Sequence, residues 1–138
     1  MTTSALGLFF PYSAETDGVV VRVAVSFLAD QSEPARGHWF WAYHIRLENQ
    51  GAHDVQLLSR RWLITDGRGV RHRVEGDGVV GMQPRIEPGA SYDYVSGCPL
   101  GTPDGAMEGS YQMVDATGRS FGVAIPRFVL TSPTVEGR

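Results

Sequence analysis

Alternation of apolar and polar residues is the strongest pattern in this chain. Residues 38–49 show it most clearly, with large apolar side chains at every second position: Trp39, Trp41, Tyr43, Ile45 and Leu47. Residues 19–28 repeat it with valines at 19, 21, 23 and 25. A period of two with aromatic and β-branched residues is typical of a strand that buries one face. The pattern predicts strands over both segments.

The same pattern extends over most of the chain. Residues 55–65 are apolar on both faces, which predicts a central strand. Shorter strands are predicted at 70–74, 91–96, 107–115 and 121–125, and Gly- and Pro-containing turn signals recur about every ten residues. No stretch has a helical period. The sequence therefore predicts an all-β fold, an immunoglobulin- or fibronectin type III-like antiparallel sandwich of seven to eight strands.

The chain of 138 residues fits one domain with flanking segments. Residues 1–18 lack a period and are predicted to form an N-terminal arm. Residues 19–130 form the predicted domain, and the polar residues 131–138 are predicted to be a mobile C-terminal tail.

Composition narrows the classes of function. The net charge of −3 argues against a protein that holds nucleic acid mainly by charge, and all 12 cationic residues are arginine. The single cysteine, Cys98, excludes an intramolecular disulfide and fits a reducing compartment. The first residues lack a targeting pattern, and no apolar run approaches the ~18 residues of a membrane span. We expect a cytoplasmic protein.

Three glycines, Gly76, Gly78 and Gly81, have the GxGxxG spacing within residues 76–84, here called the glycine loop. In dinucleotide-binding folds such glycines precede a helix whose N-terminus holds a pyrophosphate. Pro84 and Pro88 follow too soon for that helix to form. We therefore predict that the loop binds neither NAD nor ATP and that the glycines serve the backbone. A nest of backbone N–H groups for a small anion is the alternative.

Candidate chemical groups do not form a recognisable catalytic or metal set. His38 and His44 share a strand face but lie on the order of 20 Å apart, and no Cys-x-x-Cys or His-x-x-x-His is present. Cys98 follows Ser96 and Gly97 without an identifiable base. We predict no catalytic residue, no metal site and no cofactor.

Arg60 and Trp62 face the same way on the predicted central strand, which favours a cation beside an aromatic ring. Either the arginine stem covers a core tryptophan, or the pair belongs to a recognition site.

Ordered motifs between residues 19 and 130 resemble those of the ApaG family. They are VQLLSRRWLITD at 55–66, GDGVVGMQP at 76–84, IEPG at 86–89, YDY at 92–94, SGCPL at 96–100, TPDGAMEGSY at 102–111 and IPRF at 125–128. One departure is Asp77, where many members of the family have glutamate.

The resemblance implies a fibronectin type III-like sandwich and a bacterial, stand-alone form of a domain that eukaryotes attach to F-box proteins and to a DNA-polymerase-interacting protein. In those proteins the domain looks like a binding module. The family name is linked to cobalt and magnesium efflux, and the gene lies beside one for diadenosine tetraphosphate hydrolysis. We therefore expect a non-enzymatic protein-interaction module with an unidentified partner, associated with cobalt or magnesium tolerance. The alternative is a protein that binds phosphate or pyrophosphate through Gly76, Gly78 and Gly81, with Arg60 and Trp62 as further binding residues.

Overall fold

Residues 9–133, which the computed structural model describes, form nine strands in two antiparallel sheets. The strands are β1 (Tyr12–Thr16), β2 (Val19–Phe27), β3 (Trp39–Asn49), β4 (Val55–Asp66), β5 (Arg71–Asp77), β6 (Arg85–Ile86), β7 (Ser91–Leu100), β8 (Asp104–Asp115) and β9 (Ser120–Thr131). Two single-turn 3-10 helices, Ala29–Gln31 and Pro34–Arg36, lie between β2 and β3. The predicted all-β sandwich is confirmed.

Both sheets combine strands from distant parts of the chain. The first sheet has the order β1-β2-β3-β7, and the second has the order β5-β4-β8-β9, with the short β6 beside the start of β4. Nine strands exceed the predicted seven to eight. Strands β1 and β6 were not predicted, because β6 has two residues and β1 lacks a continuous apolar face.

The core lies between the inner rows of the two sheets. Trp41, Tyr111 and Phe128 are its largest fully buried side chains. The predicted row on β3 is confirmed for Trp41 and Tyr43, which are buried, whereas Trp39 is half-buried at the end of the strand. Trp41 also donates a hydrogen bond from Nε1 to the carbonyl oxygen of Thr131, at 2.8 Å. The buried row therefore packs against the other sheet and does not form a surface platform.

A β-bulge in β4 explains its unusual pattern. The register with β8 shifts between Leu57 and Ser59, so that one extra residue is inserted there. Leu57 lies in the core before the shift, and Trp62 lies in the core after it. The strand is central, as predicted, since it pairs with β8 on one side and with β5 and β6 on the other. Odd-numbered residues of β4 therefore face the core before the bulge and even-numbered residues face it after the bulge, which explains part of the apolar pattern on both faces of the predicted strand.

The predicted N-terminal arm is corrected over residues 12–16, which form β1 and pair with β2. Two hydrogen bonds then join β1 to β9 in the other sheet: Ala124 N–H donates to Thr16 Oγ1, and Val129 N–H donates to Tyr12 Oη. The remainder of the predicted arm, residues 1–8, lies outside the described residues. The predicted tail is corrected at its start, because β9 continues to Thr131; residues 134–138 lie outside the described part.

Two further strands extend beyond their predicted limits. β5 runs from Arg71 to Asp77 and therefore includes Gly76, which the sequence analysis placed in a loop. β7 continues through Cys98 and Pro99 to Leu100, where irregular structure was predicted. Both are edge strands. An edge position accepts proline and polar residues, because one side of the strand needs no pairing partner.

The two sides of the sandwich differ. Strands β1 and β9 join the sheets on one side, while β7 and β5 are the edge strands on the other side, and within residues 9–133 no strand pairs with their free edges. Among these residues no helix is long and apolar enough to cross a membrane.

Candidate functional site

A cleft of about 470 Å³ lies between the free edges of β5 and β7, and we call it the edge cleft. Its floor is the inner face of β4 and β5. Its lining residues are Tyr43, Arg60, Trp62, Ile64, Asp66, His72, Val74, Met107 and residues 96–101. A smaller recess of about 340 Å³ shares Tyr43, Arg60, Trp62 and Ser96 with the cleft and reaches the glycine loop.

The inner wall of the edge cleft is aromatic. The rings of Tyr43 and Trp62 meet edge to face, with their centroids 5.4 Å apart. Burial raises the pKa of the Tyr43 phenol, so this group stays neutral at physiological pH. Behind it the hydroxyl groups of Tyr94 and Tyr111 share a short hydrogen bond in the core. Burial also raises the pKa of both of these phenols. The wall is therefore neutral and poorly hydrated.

Arg60 is the cation at the junction of the edge cleft and the glycine loop. Its Nη1 donates to the carbonyl oxygens of Asp77 and Gly78, both at 2.9 Å. Within the described part of the chain, the guanidinium forms no ion pair with a carboxylate, and Nε and Nη2 have no acceptor there. Arg60 and Trp62 share the inner face, as predicted, but Arg60 is held by backbone carbonyl groups and not by the ring of Trp62. The cation–π contact found in residues 9–133 is the one between Arg119 and Phe121.

The three glycines of the GxGxxG pattern have separate structural causes. Gly76 lies opposite Arg60 in the β4–β5 pairing, and a Cβ atom there would lie 3.0 Å from the guanidinium nitrogens. Gly78 and Gly81 have φ angles of +65° and +78°, which favour glycine. The three glycines therefore do not all lie in one loop, since Gly76 belongs to β5.

Hydrogen bonds inside the protein occupy several N–H groups of the glycine loop. Gly78 N–H donates to the Leu58 carbonyl at the β4 bulge, at 2.8 Å. Val79 and Met82 exchange both backbone hydrogen bonds, closing a two-residue turn, and the Val79 side chain is buried in the core. The Gln83 side chain donates to Leu58 as well. These contacts attach the loop to β4.

Exposed apolar residues lie at the edge cleft and at the smaller recess beside it. Val74 on β5, Val80 in the glycine loop and Val95 on β7 have exposed fractions of 40%, 63% and 58%. Val80 also has a φ of +48°, an uncommon conformation for a β-branched residue. Strained backbone and exposed apolar surface at one place are typical of a recognition site. These three valines were not predicted from the sequence; alternation within an edge strand was the one signal that could have indicated Val74 and Val95.

The remaining candidate groups do not assemble a reactive centre. Cys98 is buried at the inner end of the edge cleft, and burial raises its pKa to about 11, which keeps the thiol protonated. Asp66 is engaged in its own turn, accepting hydrogen bonds from the amides of Arg68 and Val70. Across residues 9–133 no three His, Cys, Asp or Glu side chains group as metal ligands.

Comparison with known proteins gives consistent matches. The family model described as the ApaG domain matches residues 29–115. Protein ApaG of Methylorubrum extorquens is 51% identical over 122 residues, covering 88% of this chain and 94% of that protein. Protein ApaG of Caulobacter vibrioides is 50% identical, covering 88% and 87%. A crystal structure of an ApaA protein from Bordetella pertussis superposes with a TM-score of 0.82 at 41% identity, covering 89% of this chain and 98% of that one.

Proposed function

The chain belongs to the ApaG family, and on that premise we propose that it is a non-enzymatic protein-interaction module whose binding surface is the edge cleft. The observation that carries the proposal is the open side of the sandwich. Two unpaired strand edges and an aromatic wall meet there, with the exposed side chain of Val74 in the cleft and that of Val80 in the adjoining recess. Unpaired strand edges beside apolar pockets are surfaces to which partner chains add.

The chemistry of the cleft supports binding over catalysis. General acid–base work needs two titratable groups that face a substrate with matched pKa values. Here Asp66 is committed to a turn, and the buried Cys98 thiol is held protonated. Arg60 is a permanent cation and neither gives nor takes a proton near neutral pH. We therefore propose no catalytic residue.

The binding residues predicted from the sequence belong to two different candidate functions, an interaction surface and an anion site. Arg60 and Trp62 lie in the edge cleft and belong to the proposed interaction surface. A phosphate or pyrophosphate site built from the amides around Gly76, Gly78 and Gly81 has less support, because the Gly78 and Val79 amides donate to carbonyl groups within the protein.

A cytoplasmic site of action and an indirect link to cobalt or magnesium tolerance belong to the same proposal. Because no metal-ligand group forms among residues 9–133, any effect on cation efflux would pass through the partner. The experiment that tests the proposal must therefore identify that partner.

Capture from a lysate of the native cell tests the proposal with two matched valines. Val74 and Val129 are exposed to 40% and 41%, both on edge strands of the second sheet, but Val129 lies on the closed side with β9. We expect Val74→Asp to abolish capture of a partner that wild type and Val129→Asp retain. Equal capture by both variants would overturn the assignment of the cleft.

A further inference from the structure

We infer that the edge cleft recognises an extended segment of a partner protein that carries a carboxylate, and that this carboxylate binds Arg60. The inference rests on the proposed function and specifies the chemistry of the partner. It starts from Arg60, whose Nη1 is fixed by the carbonyls of Asp77 and Gly78 while Nε and Nη2 have no acceptor within the described residues.

The two remaining nitrogens lie along the same edge of the guanidinium plane, in the arrangement that pairs with both oxygens of a carboxylate. The Nη1 bonds hold the group in place before a ligand arrives, so little side-chain entropy is lost on binding. Gly76 contributes to this arrangement, because any larger residue would push against the guanidinium.

The surroundings favour one negative charge over two. Arg60 is the one permanent cation among the residues that line the edge cleft; Asp66 also lines the cleft, and Asp77 lines the adjoining recess. A phosphate with a charge near −2 would meet these carboxylates with a single cation to balance it. A carboxylate is matched by Arg60 alone, and the neutral wall of Tyr43 and Trp62 strengthens the pairing by excluding water.

The apolar part of the edge cleft indicates a polypeptide and not a small carboxylic acid. From Arg60, the floor continues along Trp62 and Ile64 on β4 and along Val74 on β5. The free edge of β7 offers backbone donors and acceptors along ten residues. An extended segment can pair with this edge and place alternate apolar side chains on the floor. The sequence expected in the partner is therefore an aspartate, a glutamate or a chain-terminal carboxylate beside apolar, β-branched residues.

The test is selection of random peptides, ten residues long to match β7, displayed on phage against the full chain. Binding of the selected peptides is then measured by fluorescence anisotropy, together with versions in which Asp or Glu is replaced by the amide. We expect acidic residues to be enriched and the amide versions to bind about tenfold more weakly or worse.

Variants of the chain connect the acidic residue to Arg60. Arg60→Gln should weaken binding about tenfold, whereas Arg61→Gln, the same change one residue along on the opposite face of β4, should leave it unchanged. Because Arg60 also holds the glycine loop, a second pair avoids that contact. Val74 lies on the same face as Gly76 and diagonal to Arg60, roughly 7–8 Å away. Both Val74→Glu and Val74→Lys remove the same apolar contact, so the two variants are compared with each other: acidic peptides should bind Val74→Lys more tightly than Val74→Glu, whereas the amide versions should bind both variants alike.

Each outcome decides the inference. Peptides that lack acidic enrichment but lose binding in both Val74 variants would overturn the carboxylate while leaving the interaction surface intact. Peptides that bind every variant equally, or a selection that enriches none, would overturn the inference as well; the proposed function is then judged separately by lysate capture with Val74→Asp and Val129→Asp. Inhibition of peptide binding by acetate or free glutamate at the same affinity would identify a metabolite site and refute a polypeptide ligand.

Discussion

Replacement of Gly78 by alanine distinguishes a structural role of the glycine loop from a recognition role. Gly78 has a φ of +65°, and a Cβ atom there would clash with the carbonyl oxygen of Met82. That oxygen accepts the hydrogen bond from Val79 N–H that closes the turn. Alanine must therefore displace the turn as well as adopt a left-handed conformation.

The expected cost follows from these two effects. A left-handed alanine costs roughly 1 kcal/mol relative to glycine. Weakening of the Val79–Met82 hydrogen bond adds about 1 kcal/mol, so that Gly78→Ala should reduce the free energy of unfolding by about 2 kcal/mol. Gly81→Ala is the matched control, because Gly81 has a φ of +78° but a Cβ atom there would meet no neighbouring atom within 4 Å. It should cost about 1 kcal/mol.

Urea unfolding measures both variants. With a slope of about 2 kcal/mol/M, the midpoint should fall by about 1 M for Gly78→Ala and by about half of that for Gly81→Ala. An unchanged midpoint for Gly78→Ala together with lost partner capture would refute the structural role and assign the residue to recognition. Equal shifts for the two variants would show that the contact with Met82 is relieved at no cost.

Three further measurements address the core, the outer face and the glycine loop. Trp41→Ala should reduce the free energy of unfolding by about 3–5 kcal/mol, since Trp41 is fully buried; an unchanged melting temperature with loss of a partner would contradict its place in the core. Burial acts to raise the pKa of Glu48, but hydrogen bonds from Arg22 and Arg46 outweigh it and hold the pKa below its usual value. The stabilising effect of the Glu48 carboxylate on the fold is therefore complete above the unfolded pKa of about 4.3 and is lost as pH falls through the lower folded pKa. Glu48→Gln should therefore reduce the free energy of unfolding by about 3 kcal/mol at neutral pH and by little in strong acid. A reduction that does not change with pH in urea titrations would show the reasoning to be wrong. Calorimetry with millimolar NAD or ATP should give no saturable heat, because the glycine loop leads into strand β6 and not into a helix; a dissociation constant below about 100 μM would contradict this.

The fold class was predictable because its signal is local. Alternation along β3 follows directly from burial of one strand face, and each residue carries that information without reference to distant parts of the chain. The backbone role expected for the glycines is readable in the same way, because a crowded turn of glycines involves neighbouring residues, and Gly78 does have a positive φ.

The edge cleft was not predictable in this way. The β4 bulge, which sets the phase of Arg60 and Trp62, is visible only in the pairing with β8. Gly76 was assigned to a loop because the reason for its glycine lies on another strand, in the side chain of Arg60. Exposure of Val74 depends on the absence of a neighbouring strand beside β5 among residues 9–133, which is a property of the sheet topology and cannot be read from any single residue.

The pairing of β1 with β9 across the closed side has a consequence for how this domain can be joined to other proteins. Phe9, the first described residue, precedes β1, and the described chain ends just after β9, so both of its ends lie on the same side of the sandwich. Domains with neighbouring ends tolerate insertion into a host chain and circular permutation. A polypeptide joined at these ends would lie on the side of β1 and β9, away from β5 and β7. The architecture thus leaves the edge cleft accessible when the domain is joined to a larger polypeptide.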